Sequence, residues 1–280
     1  MHFVPVDPTT HSLPKSLSPS RAKDFQKCPG AYALKTIWKV PEPSSAAAAF
    51  GTEVHAVLEE MFELPAAERT LAWALDAWTQ RVNGLDPASI LVEEMTAAGV
   101  LEKGTAMLEN YFTQETPSGF DPTGVEVVVK GVLKTAYVFG KIDRLDVHPN
   151  TGGVDVCYVS DYKTGKAPLN ADGSPNPWYE KEFWAMKIYA AMLRKHSQLT
   201  PHVLRLIYLA VPGKSGILRL RVTDAMLDKA AAEHEAIWQG INKAWKAGQF
   251  QCVKNVLCDW CSYKPICPVF GGTLDVPVTV

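Results

Sequence analysis

Apolar positions along the chain change their period near residue 115, which divides it into a mainly helical part and a strand-rich part. The first twenty residues are rich in Pro, Ser and Thr and read as an extended arm; Ser18 or Ser20 is a suitable N-cap for a helix through Arg21 to Trp38. PEPSSAAAA breaks that helix. The next starts near Phe50, where Val54, Val57, Leu58, Met61 and Phe62 recur at i, i+3, i+4, i+7 and i+8, with His55 at the edge of the stripe. Further helices are expected over roughly 66–82 and 88–114.

After Pro117 the runs VEVVVKG, VLKTAYVFG, KIDRLDV and VDVCYVSDY, rich in β-branched and aromatic residues and separated by Gly or by Asn-Thr-Gly-Gly, predict consecutive strands of a meander. A helix from about Trp178 to Lys195, strands VLRLIYLAV and GILRLRV, and a long helix from Asp224 to about Ala247 precede a cysteine-rich tail. This order predicts an α/β or α+β fold around a mixed central sheet flanked by helices. The expected division is an arm over 1–20 and one domain over 21–280, comprising a helical part (21–115), a sheet core (116–223) and a C-terminal helix with the cysteine segment (224–280).

With 280 residues and 47% hydrophobic content the chain can fill a sizeable core. The start lacks the apolar stretch of a secretion signal, and no run approaches the roughly 18–20 apolar residues that span a bilayer. A soluble protein of the reducing cytoplasm is therefore expected, without a membrane partner. The net charge of −2 argues against a global basic footprint for nucleic acid. Its distribution is uneven, however: Lys15 to Lys39 holds six basic residues against Asp24, whereas Glu42 to Glu102 holds eleven acids against Arg69 and Arg81. That polarity permits a local basic groove.

Chemistry concentrates first on two acids. Asp143 in GKIDRLDV and Asp161 in YVSDYKTGK fall at or near predicted strand ends, with Lys163 two residues past Asp161 and therefore on the same strand face. Two carboxylates about 4 Å apart repel by roughly 4 kcal/mol at an effective dielectric of 20, so a convergent pair calls for a cation. A hard divalent ion beside an ammonium suits phosphodiester hydrolysis. D-x-K alone is a common chance pattern. YKTGKAP lacks the frame of a phosphate loop, and no nucleophile elbow is present.

The order GTEVHAVLEEMF, Glu126 opening a strand, GKIDRLDV, VSDYKTGK and a helix containing IYAAML resembles the RecB-type branch of the PD-(D/E)XK nucleases, with its CRISPR-associated and phage exonucleases. The likeness runs from LSPSRAKDFQKCP to the terminal cysteines. It implies a restriction-endonuclease-like core and an Mg²⁺- or Mn²⁺-dependent deoxyribonuclease, expected to act exonucleolytically on single strands or duplex ends. Carried over, it implies His55, Asp143, Asp161 and the backbone carbonyl of Tyr162 as metal ligands and Lys163 as the residue that assists water. Many members carry Gln four residues before the Tyr of the following helix. Here Ala185 precedes Tyr189, which leaves that contact to Trp184 or Lys187. Lys166 is an accessory candidate for phosphate, and Trp178 or Trp260 for stacking on an unpaired base.

Cys258-x2-Cys261-x5-Cys267 together with Cys28 is a ligand series that suits zinc or an iron–sulfur cluster on spacing alone. The resemblance implies a [4Fe–4S] cluster clamping the two ends. Cys252 is expected as a free thiol, with a place as substitute ligand as the alternative, and Cys157 as a small buried hydrophobe. Two other classes remain open at this stage: a catalytically inactive DNA-binding or recombination accessory protein of the same fold, and a zinc-binding regulatory domain. A homo-oligomer, or a helicase or recombination partner, is likewise left open.

Overall fold

Ser18 accepts the Arg21 N–H at 3.3 Å and opens α1, Pro19–Lys27, with Pro in the first turn where its missing N–H costs nothing. The structure, a computed structural model, describes residues 1–43, 46–85, 96–149, 154–197 and 199–274. The helix expected through Trp38 ends early because Cys28 is extended (φ −162°) ahead of Pro29, whose ring disfavours helix at the preceding residue. Helical backbone resumes in α2, Pro29–Tyr32, and in a π-helical turn over Ala33–Ile37.

Next come α3 (Ala46–Glu63), α4 (Leu71–Gly84) and α5 (Ala97–Gln114). Thr70 and Thr96 cap the last two through the Trp73 and Gly99 N–H groups. The expected start of α5 at 88, the turn Asn150 to Gly153 and the two serines of PEPSSAAAA lie outside the described residues.

VLKTAYVFG and KIDRLDV do not form separate strands. The chain reverses at Lys134 (φ +54°), so β2 takes Gly124–Leu133, and β3 runs unbroken through Gly140 from Ala136 to His148. After β4 (Val156–Lys163), α6 (Trp184–His196) crosses over to β5 (Thr200–Tyr208), and β6 (Ile217–Arg221) follows. The sheet order is β2-β3-β4-β5-β6, with β3/β4 and β5/β6 antiparallel and β4/β5 parallel. The parallel pair needs the long connection that α6 provides. α7 (Asp224–Lys246) leads to β7 (Gln249–Cys252), which pairs antiparallel with β1 (His2–Pro5). Neither short strand was expected; four residues carry too little alternation to register. This is a mixed sheet flanked by helices, a restriction-endonuclease-like arrangement. No helix among the described residues is long and apolar enough to cross a membrane.

The chain divides into two compact units. One gathers residues 1–43, 130–140 and 228–280; in its core Phe25, Tyr32 and Phe250 stack at centroid distances of 5.5–6.3 Å, and buried His234 meets the Leu17 carbonyl at 3.1 Å. The other, 44–129 and 141–227, is built around the apolar stripe of α3. There Val54, Val57, Leu58 and Met61 pack with Trp78, Leu108, Tyr111, Tyr162 and Ile207. Trp78 lies fully buried over Gly104, where any larger side chain would collide with the indole, and donates to the Leu101 carbonyl at 3.0 Å.

Candidate functional site

Antiparallel register places Arg144 opposite Ser160, which makes Asp143 and Asp161 the next facing pair. The ladder stops there: the Asp143 carboxylate accepts the Tyr162 backbone N–H at 2.8 Å. By strand alternation Asp143, Asp161 and Lys163 share one face. Lys163 closes an ion pair with Asp161. The Asp161 oxygen it faces is buried and makes no well-directed hydrogen bond, so that contact is one of charge and proximity. From the edge of the α3 stripe, His55 Nδ1 reaches Asp143 Oδ2 at 3.4 Å. The four residues that GTEVHAVLEEMF, GKIDRLDV and VSDYKTGK pointed to are thus brought together.

Their electrostatics are unbalanced. Burial, then the Asp161 charge, pushes the Asp143 carboxyl up to about 8, although the Tyr162 N–H and Lys163 pull it down. Burial lowers the pKa of His55 despite Asp161 and a hydrogen bond to the Tyr162 backbone, which favours neutral imidazole. Burial also works against the Lys163 ammonium, but Asp161 and Asp143, with Glu182, outweigh it and raise its pKa.

A cleft of about 550 Å³ adjoins these groups, lined by His55, Glu59, Glu126, Lys141, Tyr162 and Lys163 among others. Glu126 holds a left-handed backbone (φ +50°) inside β2, which costs a non-glycine residue of order 1–3 kcal/mol, and pairs with Lys141 at 2.9 Å. Tyr189, on α6, is held up at about 12 by burial and then by Asp161 and Asp143, which places it within their field. Two accessory candidates stay outside: Lys187 donates to the Glu180 carbonyl at 3.4 Å, and Lys166 is exposed on the loop after β4. Sequence reasoning passed over Glu59 and Lys141. Helical spacing of four from His55 and strand spacing of two from Asp143 were the available signals.

The matched family model is described as the PD-(D/E)XK nuclease superfamily and covers residues 16–268. The chain belongs to that superfamily. A solved structure of a presumed exonuclease from Eubacterium rectale is similar in fold, with a TM-score of 0.53 and 15% identity over 88% of each chain. No curated protein matches in sequence. Nucleases of this superfamily typically use Mg²⁺ or Mn²⁺. Among the described residues no three His, Cys, Asp or Glu side chains converge closely enough, as they stand, to count as a metal-holding group. The donor set nevertheless suits a hard cation: two facing carboxylates, one disfavouring ionisation, an undirected buried oxygen on Asp161 and a neutral-leaning imidazole.

The other predicted constellation lies in the first unit. Cys28, Cys258, Cys261 and Cys267 line one cavity of about 290 Å³, and Cys252 joins them. All are free thiols. Backbone N–H groups of Val253 and Asn255 donate to the sulfurs of Cys28 and Cys258 at 3.5 and 3.4 Å. Cys252 is buried against Gly30, whose missing side chain leaves room for the sulfur, and its thiol is raised to about 12 by burial and then by Cys267 and Cys28. It is thus a fifth member of the chamber rather than a thiol apart. Sulfur is the donor type of a thiolate-bound cluster, but as they stand no three of these cysteines converge closely enough to count as a metal-holding group. Cys157 is fully buried in β4, as expected of a small hydrophobe.

Proposed function

We propose that this PD-(D/E)XK nuclease is an Mg²⁺- or Mn²⁺-dependent deoxyribonuclease that degrades DNA from ends or along single strands. The observation that carries the reading is the meeting of Asp143 and Asp161 across β3 and β4, beside His55 and Lys163. His55, Asp143, Asp161 and the Tyr162 carbonyl would hold the cation. When bound, that ion supplies positive charge to the phosphoryl oxygens and makes hydroxide accessible near neutral pH. Lys163, kept charged by its acidic neighbours, orients the attacking water and offsets charge on the phosphate instead of serving as a base in the resting state. Tyr162 fixes the Asp143 carboxylate through its N–H, and neutral His55 keeps a lone pair for the metal.

In the same reading Cys28, Cys258, Cys261 and Cys267 hold a structural [4Fe–4S] cluster. Two measurements test the whole. A time course on end-labelled duplex and single-stranded DNA with Mg²⁺, Mn²⁺ or EDTA should show metal-dependent release of short products from the label. Absence of metal-dependent cleavage overturns the enzyme assignment. Purified protein should be brown, with iron and sulfide; a colourless zinc protein overturns the cluster.

A further inference from the structure

Trp178 is 64% exposed, an unusual position for so large an apolar ring. Its seat is well braced. The Trp178 N–H donates to Asn176 Oδ1 at 2.9 Å, the Asn176 N–H to the Pro168 carbonyl at 2.9 Å, and the Lys181 N–H to the Trp178 carbonyl at 3.1 Å. The loop between Pro168 and Trp178 is cross-tied by Leu169 and Pro175 and by Asn170 and Ser174. The Lys181 ammonium lies 4.1 Å from the centre of the indole. The same turn continues through Glu182 into fully buried Phe183 at the head of α6. It lies on the connection that joins the end of β4, which carries Asp161 and Lys163, to α6.

We propose that Trp178 is a stacking platform for an unpaired DNA base, with Lys181 contacting the adjoining phosphate. The proposal rests on the nuclease reading and names the form of DNA that its site receives: a single strand. A planar π surface with a cation against it matches the alternation of base and phosphate along a nucleic acid strand. Inside a duplex the base faces are covered by their neighbours, so away from the ends only an unpaired base offers its face to the indole. Such stacking needs no particular base, which suits degradation without sequence preference.

Binding is measured by fluorescence anisotropy with Ca²⁺ in place of Mg²⁺, using a labelled oligothymidine and its abasic counterpart, which keeps the phosphates and lacks the bases. Trp178→Ala should weaken oligothymidine binding roughly 5- to 100-fold and erase the difference between the two oligomers, whereas Trp178→Phe should retain most of both. Lys181→Gln should reduce the slope of log affinity against log salt by about 0.7. Wild-type affinity in Trp178→Ala, or continued preference for the base-bearing strand, overturns the platform; an unchanged salt slope overturns the phosphate contact. The outcome is separate from the parent reading, because a wild-type protein that binds the oligomer through Trp178 yet cleaves nothing with Mg²⁺ or Mn²⁺ sinks only the nuclease.

Discussion

Alternate residues of β3 and β4 lead to two opposite settlements of buried charge. On the helix side, Arg144 is fully buried and donates to Glu115 at 2.7 and 3.0 Å, to the Tyr162 hydroxyl at 3.0 Å and to Asp146 at 3.2 Å. Arg205 joins Glu115, Asp146 and Ser160, so two cations meet two anions. Burial works against the Glu115 carboxylate, but Arg144 and Arg205 hold its pKa below the usual range. One residue along each strand, Asp143 faces Asp161, and its own carboxyl is pushed up to about 8. The same backbone thus carries a compensated network on one face and a frustrated one on the other. Compensation locks the strands together, whereas the frustrated side keeps a charge deficit that an incoming cation can relieve.

The largest expected effects lie on the frustrated side and appear in rate, not in stability. Asp161→Ala or Lys163→Ala should lower cleavage by about 10²–10³-fold in kcat, the range for loss of one group that stabilises developing charge. Thermal melting of metal-free Asp161→Ala should not fall, because the change relieves the Asp143 carboxyl. Near-wild-type cleavage by either variant would erase the distinction.

Next in size is a contrast of sign. Arg144→Met leaves Glu115 and Asp146 to share Arg205 alone and should cost about 3–5 kcal/mol, whereas Asp143→Asn should raise the stability of the metal-free protein. Denaturant melts of both variants decide it, and two changes of the same sign would mean the faces do not differ as described. Tyr162→Phe, which removes a hydroxyl bonded to the Arg144 guanidinium, should cost about 1.5–3 kcal/mol in the same assay.

The smallest effect is a pH slope. Asp143 binds its proton more tightly folded than unfolded, so its contribution is complete below pH about 4 and is lost as pH rises through about 8. Metal-free melting temperature should therefore decline over that window more steeply in the wild type than in Asp143→Asn. Mn²⁺ affinity, measured calorimetrically, should rise with pH and level off above about 8. An affinity independent of pH would show that Asp143 does not release a proton to bind.

How much of this was legible in the sequence follows from distance along the chain. His55 declares itself by its place on a helical stripe, and Asp161 and Lys163 by a spacing of two on a strand. The helix-to-strand change near residue 115 was visible for the same local reason. Arg144, by contrast, gave no signal, because Glu115 just past α5 and Tyr162 on β4 are far from it in sequence, and an arginine two residues from a strand aspartate looks like any solvated pair. Glu126 was legible as a strand residue but not as one with positive φ, which only its surroundings impose. The break at Cys28 is written in the proline that follows, whose ring disfavours helix at the residue before it. Cys252 stood between a substitute ligand and a free thiol, because its neighbours in the chamber include Cys28, more than two hundred positions away.

The first unit is stitched from the beginning, a middle piece and the end of the chain, and among the described residues β1 finds its strand partner in β7. During vectorial synthesis its opening strand must wait for roughly 250 further residues, about 12–50 s at ordinary ribosomal speeds, while most of the other unit has already emerged. A ribosome stalled or terminated shortly before Gln249 would release a chain with the latter able to assemble and the former bereft of its closing strand, its aromatic and thiol surfaces laid open to chaperones and proteases.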